Sequence, residues 1–302
     1  MNLNVEPKDI IDAYSTPIVK QTSFWSKVKE KLGMDSRAFE FSVRNSDLYT
    51  DVGGYSYTNA DVIMFFQHLN SEDYIAYIPY GPEIEPSEAN QGEFLEELSE
   101  ELKSFLPKHR VAMRYDLNWE SHWCKQEDFD AEGNWIGLPK KELQEIKLNI
   151  GTSNHNLRKA NTNILPANTV LVDLTQDEEV RVKLLMAYYE NTPLAAMFLI
   201  LSSHRATYLY GASSSSMRNV MPTYALQWKA IQEAKAGKCY EYDMFGIAPN
   251  PNPSQPMYGL YKFKNGFGGE IFHQLGCWDY PIDEDKYNRF SACEMNMQGY
   301  YV

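Results

Sequence analysis

Apolar residues recur along this chain in two copies of one plan. DYIAYIPYG, from Asp73 to Gly81, predicts a strand that ends at Tyr80–Gly81. In the GEFLEELSEELKSFLPKHR that follows, Phe94, Leu98, Leu102 and Phe105 stand at steps of four, four and three, the stripe of an amphipathic helix. VAMRYDL then predicts a strand ending at Tyr115–Asp116. In the second copy, ATYLYG (Ala206 to Gly211) predicts a strand that again ends in Tyr-Gly. Polar ASSSSMRNV leads from it into a helix that Pro222 starts and Gly237 stops, with Ala225, Trp228 and Ile231 as its buried stripe. CYEYDMFG closes the copy with a strand ending at Tyr242–Asp243. Gly81 and Asp116 are 35 positions apart and Gly211 and Asp243 are 32, a difference of three. Strand, helix, strand is a common unit and can recur by chance, but the matched lengths favour duplication of one α+β domain.

Upstream of the second copy, VRVKLLMAYY, the turn ENTP and LAAMFLILSS predict a hairpin, so an antiparallel meander precedes the helix. Meander, helix and strand in that order is the layout of acetyltransferase-like (GNAT) folds. The expected fold class is therefore α+β, with two tandem GNAT-like domains whose mixed sheets are flanked by helices. Residues 1–165 with 273–302 form the first expected domain and residues 166–272 the second.

Composition narrows what such a fold can serve. The chain has 302 residues, 43% of them hydrophobic, enough for two cores. Its longest strictly apolar run, Leu194 to Leu201, is far short of the roughly 20 residues of a spanning helix. MNLNVEPKDI has neither a basic start nor an apolar h-region, so no secretory signal is expected and the protein is placed in the cytoplasm. Cys124, Cys239, Cys277 and Cys293 never approach CxxC spacing and are read as buried thiols, and the histidines form no close-spaced ligand pair. No metal site is expected. The formal charge of −13 opposes diffuse binding to nucleic acid, so any RNA partner needs a local patch.

No packing rule asks for the order of residues between Tyr240 and Glu270, where a strand ending in Asp243 runs into a proline-rich loop and an aromatic, lysine and glycine cluster. YLYGASSSSMRNVMPTYALQWKAIQEAKAGKCYEYDMFGI followed by MYGLYKFKNGFGG resembles the C-terminal half of the Fem-type peptidoglycan aminoacyltransferases. QTSFWSKVKEKLG and VAMRYDL resemble, more loosely, that family's early helix and a strand ending in arginine, aromatic, aspartate. The resemblance implies two GNAT-like domains in tandem. It implies transfer of an amino acid from aminoacyl-tRNA to the side-chain amine of the stem peptide, on UDP-MurNAc-pentapeptide or lipid II, with transient contact at the membrane surface. No organic cofactor is implied, because the aminoacyl ester carries the activation.

The same resemblance assigns residues. Lys264, after Phe263 in the family's Phe-Lys pair, is placed near the tRNA acceptor end as the donor to the oxyanion. If this segment were a strand, Lys262 would lie on the opposite face and serve as an internal control. Asp116 corresponds to an aspartate facing the acceptor peptide, where it would accept or orient the proton of the attacking ammonium. A loop-capping aspartate is the equal alternative. Lys29, by its place in WSKVK, corresponds to a lysine that holds precursor phosphate. Tyr210 and Arg218 flank GASSSS and would line the acceptor channel by stacking and by pairing with phosphate or carboxylate. Asp243 is read as structural, tying its loop to Gly246. Arg158 and Lys159 in HNLRKA are read as a small surface cluster, and Gly266, Gly268 and Gly269 as a tight turn.

One departure from the family is large. After NTVLVDLTQDEE a Lys- and Arg-rich helix and a further helical stretch are expected, yet QDEE runs straight into VRVKLLMAYY. Several tens of residues are missing between about Glu179 and Val182. Their loss would strip the second domain of half its fold, so omission from the sequence is the favoured explanation, and −13 then overstates the acidity. A GNAT-type enzyme using acyl-CoA is the rival reading, disfavoured because neither YGPEIEPSEANQGE nor YGASSSSMRNVMP supplies a pyrophosphate loop. A non-catalytic peptide- or glycan-binding protein is the third.

Overall fold

Backbone pairing in the computed structural model reproduces the duplicated plan, and its contacts divide the chain into two units. The structure describes residues 1–50, 52–173, 180–295 and 300–301. The junction between about Glu179 and Val182, where the sequence predicts a missing segment, begins at the edge of residues 174–179, which lie outside the described residues.

The first unit comprises residues 1–14, 20–167 and 274–302. Strand β1 (Leu3–Lys8) leads to helix α1 (Ser23–Glu30), whose first turn is capped by the Thr22 side chain accepting from the Trp25 N–H. β2 (Ser36–Arg44), the single turn α2 (Asn45–Leu48), β3 (Tyr57–His68) and β4 (Tyr74–Pro79) form the antiparallel meander. α3 (Gln91–Lys103) then crosses to β5 (Arg110–Glu120), which pairs with β4 in parallel. Phe94, Leu98 and Leu102 are buried as their spacing predicts, and Phe105 lies just past the helix. β3 is buried on both faces, Val62 and Met64 on one side and Ile63 and Phe65 on the other.

Helix α4 (Lys141–Leu148) packs its last turn against the start of α3. A Cβ built on Gly92 would lie 1.7 Å from the Leu148 carbonyl oxygen, so the two backbones meet where no side chain fits. Gly92→Ala is expected to destabilise the protein by at least about 1–3 kcal/mol, the usual cost of overpacking, measured as a lower urea midpoint with an unchanged slope. Short strands β6 (Arg158–Lys159) and β7 (Thr162–Asn163) end this part of the unit.

The second unit comprises residues 15–19 and 168–273. The outlying segment 15–19 is fixed by the Ser202 hydroxyl donating to the Thr16 carbonyl at 2.7 Å. β8 (Asn168–Asp173) precedes the hairpin β9 (Arg181–Tyr189) and β10 (Thr192–Ser202), then β11 (Arg205–Ser213). α5 (Pro222–Ala236) crosses to β12 (Glu241–Asp243), which pairs with β11 in parallel as β5 does with β4. The buried stripe of α5 is Leu226, Gln227, Ala230, Ile231 and Ala234, so of the predicted Ala225, Trp228 and Ile231 only Ile231 is buried. Trp228 is 59% exposed. The helix is rotated so that its small alanines, rather than its largest ring, face the sheet.

MYGLYKFKNGFGG is not a strand: α6 (Tyr258–Asn265) is a helix, and Gly268 at φ +78° turns the chain out of it. In β13 (Glu270–Pro281), Glu270–His273 pair with β8 in the second unit and Gln274–Pro281 pair with β5 in the first. α7 (Glu284–Glu294), capped by Asp283, and β14 (Tyr300–Tyr301) complete the first unit. Among the described residues no helix is long and apolar enough to cross a membrane.

Candidate functional site

The second unit builds its candidate site around one buried ammonium. Lys264 sits in the last turn of α6 at 3% exposure, and its Nζ donates to the carbonyls of Phe245 and Gly246, both at 2.8 Å. Those two carbonyls belong to the turn after β12, where Phe245 takes φ +59°. Asp243 holds the same turn from the other side, its Oδ1 accepting from the Phe245 N–H at 2.8 Å and from the Thr169 hydroxyl. The predicted tie from Asp243 thus reaches Phe245, and Gly246 is held by Lys264 instead. Burial pushes the Lys264 ammonium down to about 8, with Asp243 opposing the shift. Its Nζ stands 5.3 Å from the centre of the Tyr208 ring.

Beside it, Phe263 is half-buried, edge-on to Tyr224 at 4.7 Å and to Phe267 at 5.5 Å. Residues two apart on a helix differ by roughly 200° in direction, so exposed Lys262 still points away from Lys264, as it would on a strand. Tyr210, on β11, is 60% exposed, and Arg218 is exposed in a 3₁₀ turn before α5. Both are open to a ligand, whereas the ring that Lys264 stands over is Tyr208, two positions before Tyr210, which sequence reasoning missed. The doubled Tyr-x-Tyr of YLYG was the available signal.

In the first unit the expected arrangement changes. β5 does not end at Asp116 but runs on to Glu120, and Asp116 is fully buried instead of facing a ligand. Its Oδ2 accepts from the Tyr77 hydroxyl at 3.0 Å and the Leu165 N–H at 2.9 Å, while Oδ1 has no hydrogen-bond partner among the described residues. Burial raises the pKa of this carboxyl. Asp116 therefore orients the Tyr77 hydroxyl and the Leu165 backbone N–H. Lys29 is half-buried on α1 with its Nζ 5.4 Å from the Trp25 ring centre, and Lys20 lies over the same ring at 3.5 Å.

Two readings of surface chemistry are corrected. Lys159 is not a surface charge: it is 1% exposed, donates to the carbonyls of Leu275 at 2.9 Å and Cys277 at 3.3 Å, and burial lowers its ammonium to about 8. Arg158 stays local, donating to the His155 carbonyl at 2.6 Å. Of the thiols, Cys239 and Cys277 are buried, Cys124 is half-buried and Cys293 is exposed. α7 carries Cys293 near its C-terminal end, beyond the apolar contacts made by Tyr287.

Two units, each a meander, a crossing helix and a parallel strand, with an aromatic–lysine pair on the helix after the second, define a tandem GNAT-like protein. The FemAB family model matches residues 138–294, just over half of the sequence. The chain belongs to the FemAB family. The lipid II:glycine glycyltransferase of Staphylococcus aureus is 28% identical over 179 residues, covering 53% of this chain and 42% of that protein. That of Staphylococcus epidermidis is 28% identical over 149 residues, covering 49% and 34%. The chain thus matches less than half the length of these curated relatives. The crystal structure of FemX shares the fold with a TM-score of 0.62 over 93% of this chain and 96% of that one, at 13% identity. Tyr210, Arg218, Phe263 and Lys264 lie inside the family match, and Lys29 and Asp116 lie outside it.

Proposed function

We propose that the protein is a tRNA-dependent aminoacyltransferase that extends the stem peptide of a peptidoglycan precursor. The observation that carries this reading is Lys264, an ammonium buried within the family match and held beside Phe263. In the reaction, the acceptor amine attacks the ester carbonyl, a C–N bond forms, the ester C–O bond breaks, the nucleotide hydroxyl leaves and the amine gives up a proton. The ester is already activated, so the protein's work is to position two reactants and to stabilise the oxyanion, the first worth up to roughly 7–11 kcal/mol. Two of the three Lys264 N–H groups are held by carbonyls, which fixes the nitrogen and leaves one for an oxyanion. Phe263 and Tyr224 offer ring faces to the terminal base of the donor, and Tyr210 and Arg218 serve the acceptor. Lys29 takes precursor phosphate, and Asp116 acts as a positioning residue through Tyr77.

The test offers the purified protein a panel of charged tRNAs with UDP-linked and lipid-linked precursor pentapeptides. Transfer of one radiolabelled amino acid to the precursor is the expected result. No transfer from any charged tRNA, together with micromolar binding of acetyl-CoA, would replace this reading with that of an acyl-CoA enzyme.

A further inference from the structure

The register between β10 and β11 slips once. Phe198 stands opposite Tyr210 and Leu199 opposite Tyr208, so Leu209 faces no residue on β10 and forms a bulge. Residues directly opposite each other on paired strands share a face. Tyr208 therefore lies with fully buried Leu199 against the core beneath α5, while Tyr210 lies with Phe198, which is 44% exposed. Without the bulge these two tyrosines, two positions apart, would point the same way. Gly211 stands opposite buried Met197 and so returns to the face of Tyr208. A Cβ built on Gly211 would lie 2.1 Å from the Tyr208 hydroxyl and 2.7 Å from Cε2 and Cζ of its ring. The ring thus crosses the place where any other residue would carry its side chain. Gly211 takes no positive φ, so it is the ring and not the backbone that calls for glycine here. In the first unit the matching Tyr80–Gly81 is used otherwise: the Tyr80 hydroxyl donates to the Pro166 carbonyl at 2.9 Å, and a Cβ on Gly81 would meet the Gln21 side chain.

We propose that Gly211 and Tyr208 are positioning residues of the transfer site: the bulge and the missing side chain let the Tyr208 ring stand beside the Lys264 ammonium and fix the direction in which it meets an oxyanion. The inference rests on the role given to Lys264 in the proposed function. Its Nζ lies 5.3 Å from the centre of the ring, inside the reach of about 6 Å over which an aromatic face attracts a cation. The Phe245 and Gly246 carbonyls that take two of its N–H groups both belong to the turn after β12, and Asp243 braces that same turn. Tyr208 adds a restraint from a different strand, β11. Its hydroxyl makes no hydrogen bond among the described residues, so what it offers the lysine is the ring. The bulge also divides the doubled tyrosine of YLYG between two tasks, with Tyr208 turned to Lys264 and Tyr210 left open for the acceptor.

The test combines transfer rates with carbon-13 NMR of lysine-labelled protein in the absence of substrate. Gly211→Ala and Tyr208→Leu are each expected to lower kcat about five- to thirtyfold, the rate equivalent of one cation–π contact, with little change in KM. The double variant is expected to fall no further than Tyr208→Leu alone, because residues that act through one another are not additive. Tyr208→Phe keeps the ring and is expected to restore the rate. In the spectra, the Lys264 Cε signal, assigned by its loss in Lys264→Ala, is expected to titrate at lower pH in Tyr208→Leu, where the ammonium has lost the ring. Gly211→Ala is expected to move that midpoint in the wild-type background and to leave it unmoved in the Tyr208→Leu background. Gly211 is exposed near the end of β11, so its variant keeps the inference testable where Tyr208→Leu does not fold. Coupled midpoints in a protein that transfers nothing would retain the Gly211–Tyr208–Lys264 linkage and overturn the proposed function alone. Additive losses in the double variant, a Tyr208→Phe as slow as Tyr208→Leu, or a Lys264 midpoint that neither substitution moves would each overturn the inference.

Discussion

Replacing Lys264 with Ala is expected to lower the transfer rate about 100- to 1000-fold, the cost of removing one preorganised oxyanion donor. Lys262→Ala, on the exposed side of the same helix, is expected to leave it unchanged. Because Lys264 also pins the carbonyls of Phe245 and Gly246, the alanine variant loses structure as well as charge, and pH separates the two roles. The donor must be an ammonium, so activity is expected to fall as pH rises through about 8, the value to which burial brings this group. Stability moves the other way. Between about 8 and the unfolded value of 10.5 the unfolded chain holds a proton that the folded chain has lost, so folding becomes more favourable as pH rises across that window. A shift of this size corresponds to on the order of 3 kcal/mol from this one group. Rate and urea midpoint measured from pH 7 to 10 are thus expected to diverge in the wild type, whereas Lys264→Ala keeps only the smaller rise in midpoint that Lys159, lowered by burial to the same value, contributes. A transfer rate flat across that range in the wild type would remove Lys264 from the chemistry.

The plan of the fold was legible because it is written in spacing. Phe94, Leu98 and Leu102 sit one helical turn apart, and the β9–β10 hairpin announces itself by two apolar runs around ENTP. Rotation was harder to read: α5 is apolar on more than one side, so period alone did not choose between Trp228 and the alanine face. The site was legible only in part. Lys264 stands out through its Phe-Lys context, but the sequence leaves the conformation of α6 open because aromatic residues at Tyr258, Tyr261 and Phe263 suit both strand and helix. Asp116 was located by resemblance, and its burial depends on Tyr77 and Leu165, 39 and 49 positions away along the chain. Lys159 shows the same limit, since HNLRKA reads as polar surface until β13 lays the carbonyls of Leu275 and Cys277 over it.

Arg114→Leu is expected to cost about 3–5 kcal/mol of stability, the range for removing one partner of a buried ion pair. Arg114 lies on β5 two positions before Asp116 and is 2% exposed. Its guanidinium makes four hydrogen bonds to two carboxylates, at 2.6 and 2.6 Å to Asp279 of β13 and at 2.5 and 3.0 Å to Glu294 of α7. The Thr162 and Tyr287 hydroxyls donate to the same carboxylates at 2.9 and 3.1 Å. Burial alone would favour the neutral form of Arg114, but Asp279 and then Glu294 outweigh it and hold the pKa well above its ordinary value. Without the arginine, two carboxylates are left in an interior that offers them only hydroxyls, and that desolvation makes the single substitution costly. Because the triad ties β5, β13 and α7 together in the first unit, its loss is expected to loosen the strand that carries Asp116 as well. Arg114→Met combined with Asp279→Leu and Glu294→Met removes the charges together and is expected to recover most of the stability, since an apolar triad of similar volume is often neutral or better. Urea denaturation of both variants decides the matter, and a single substitution costing less than about 1 kcal/mol, the scale of an exposed pair, would show that the triad is open to water.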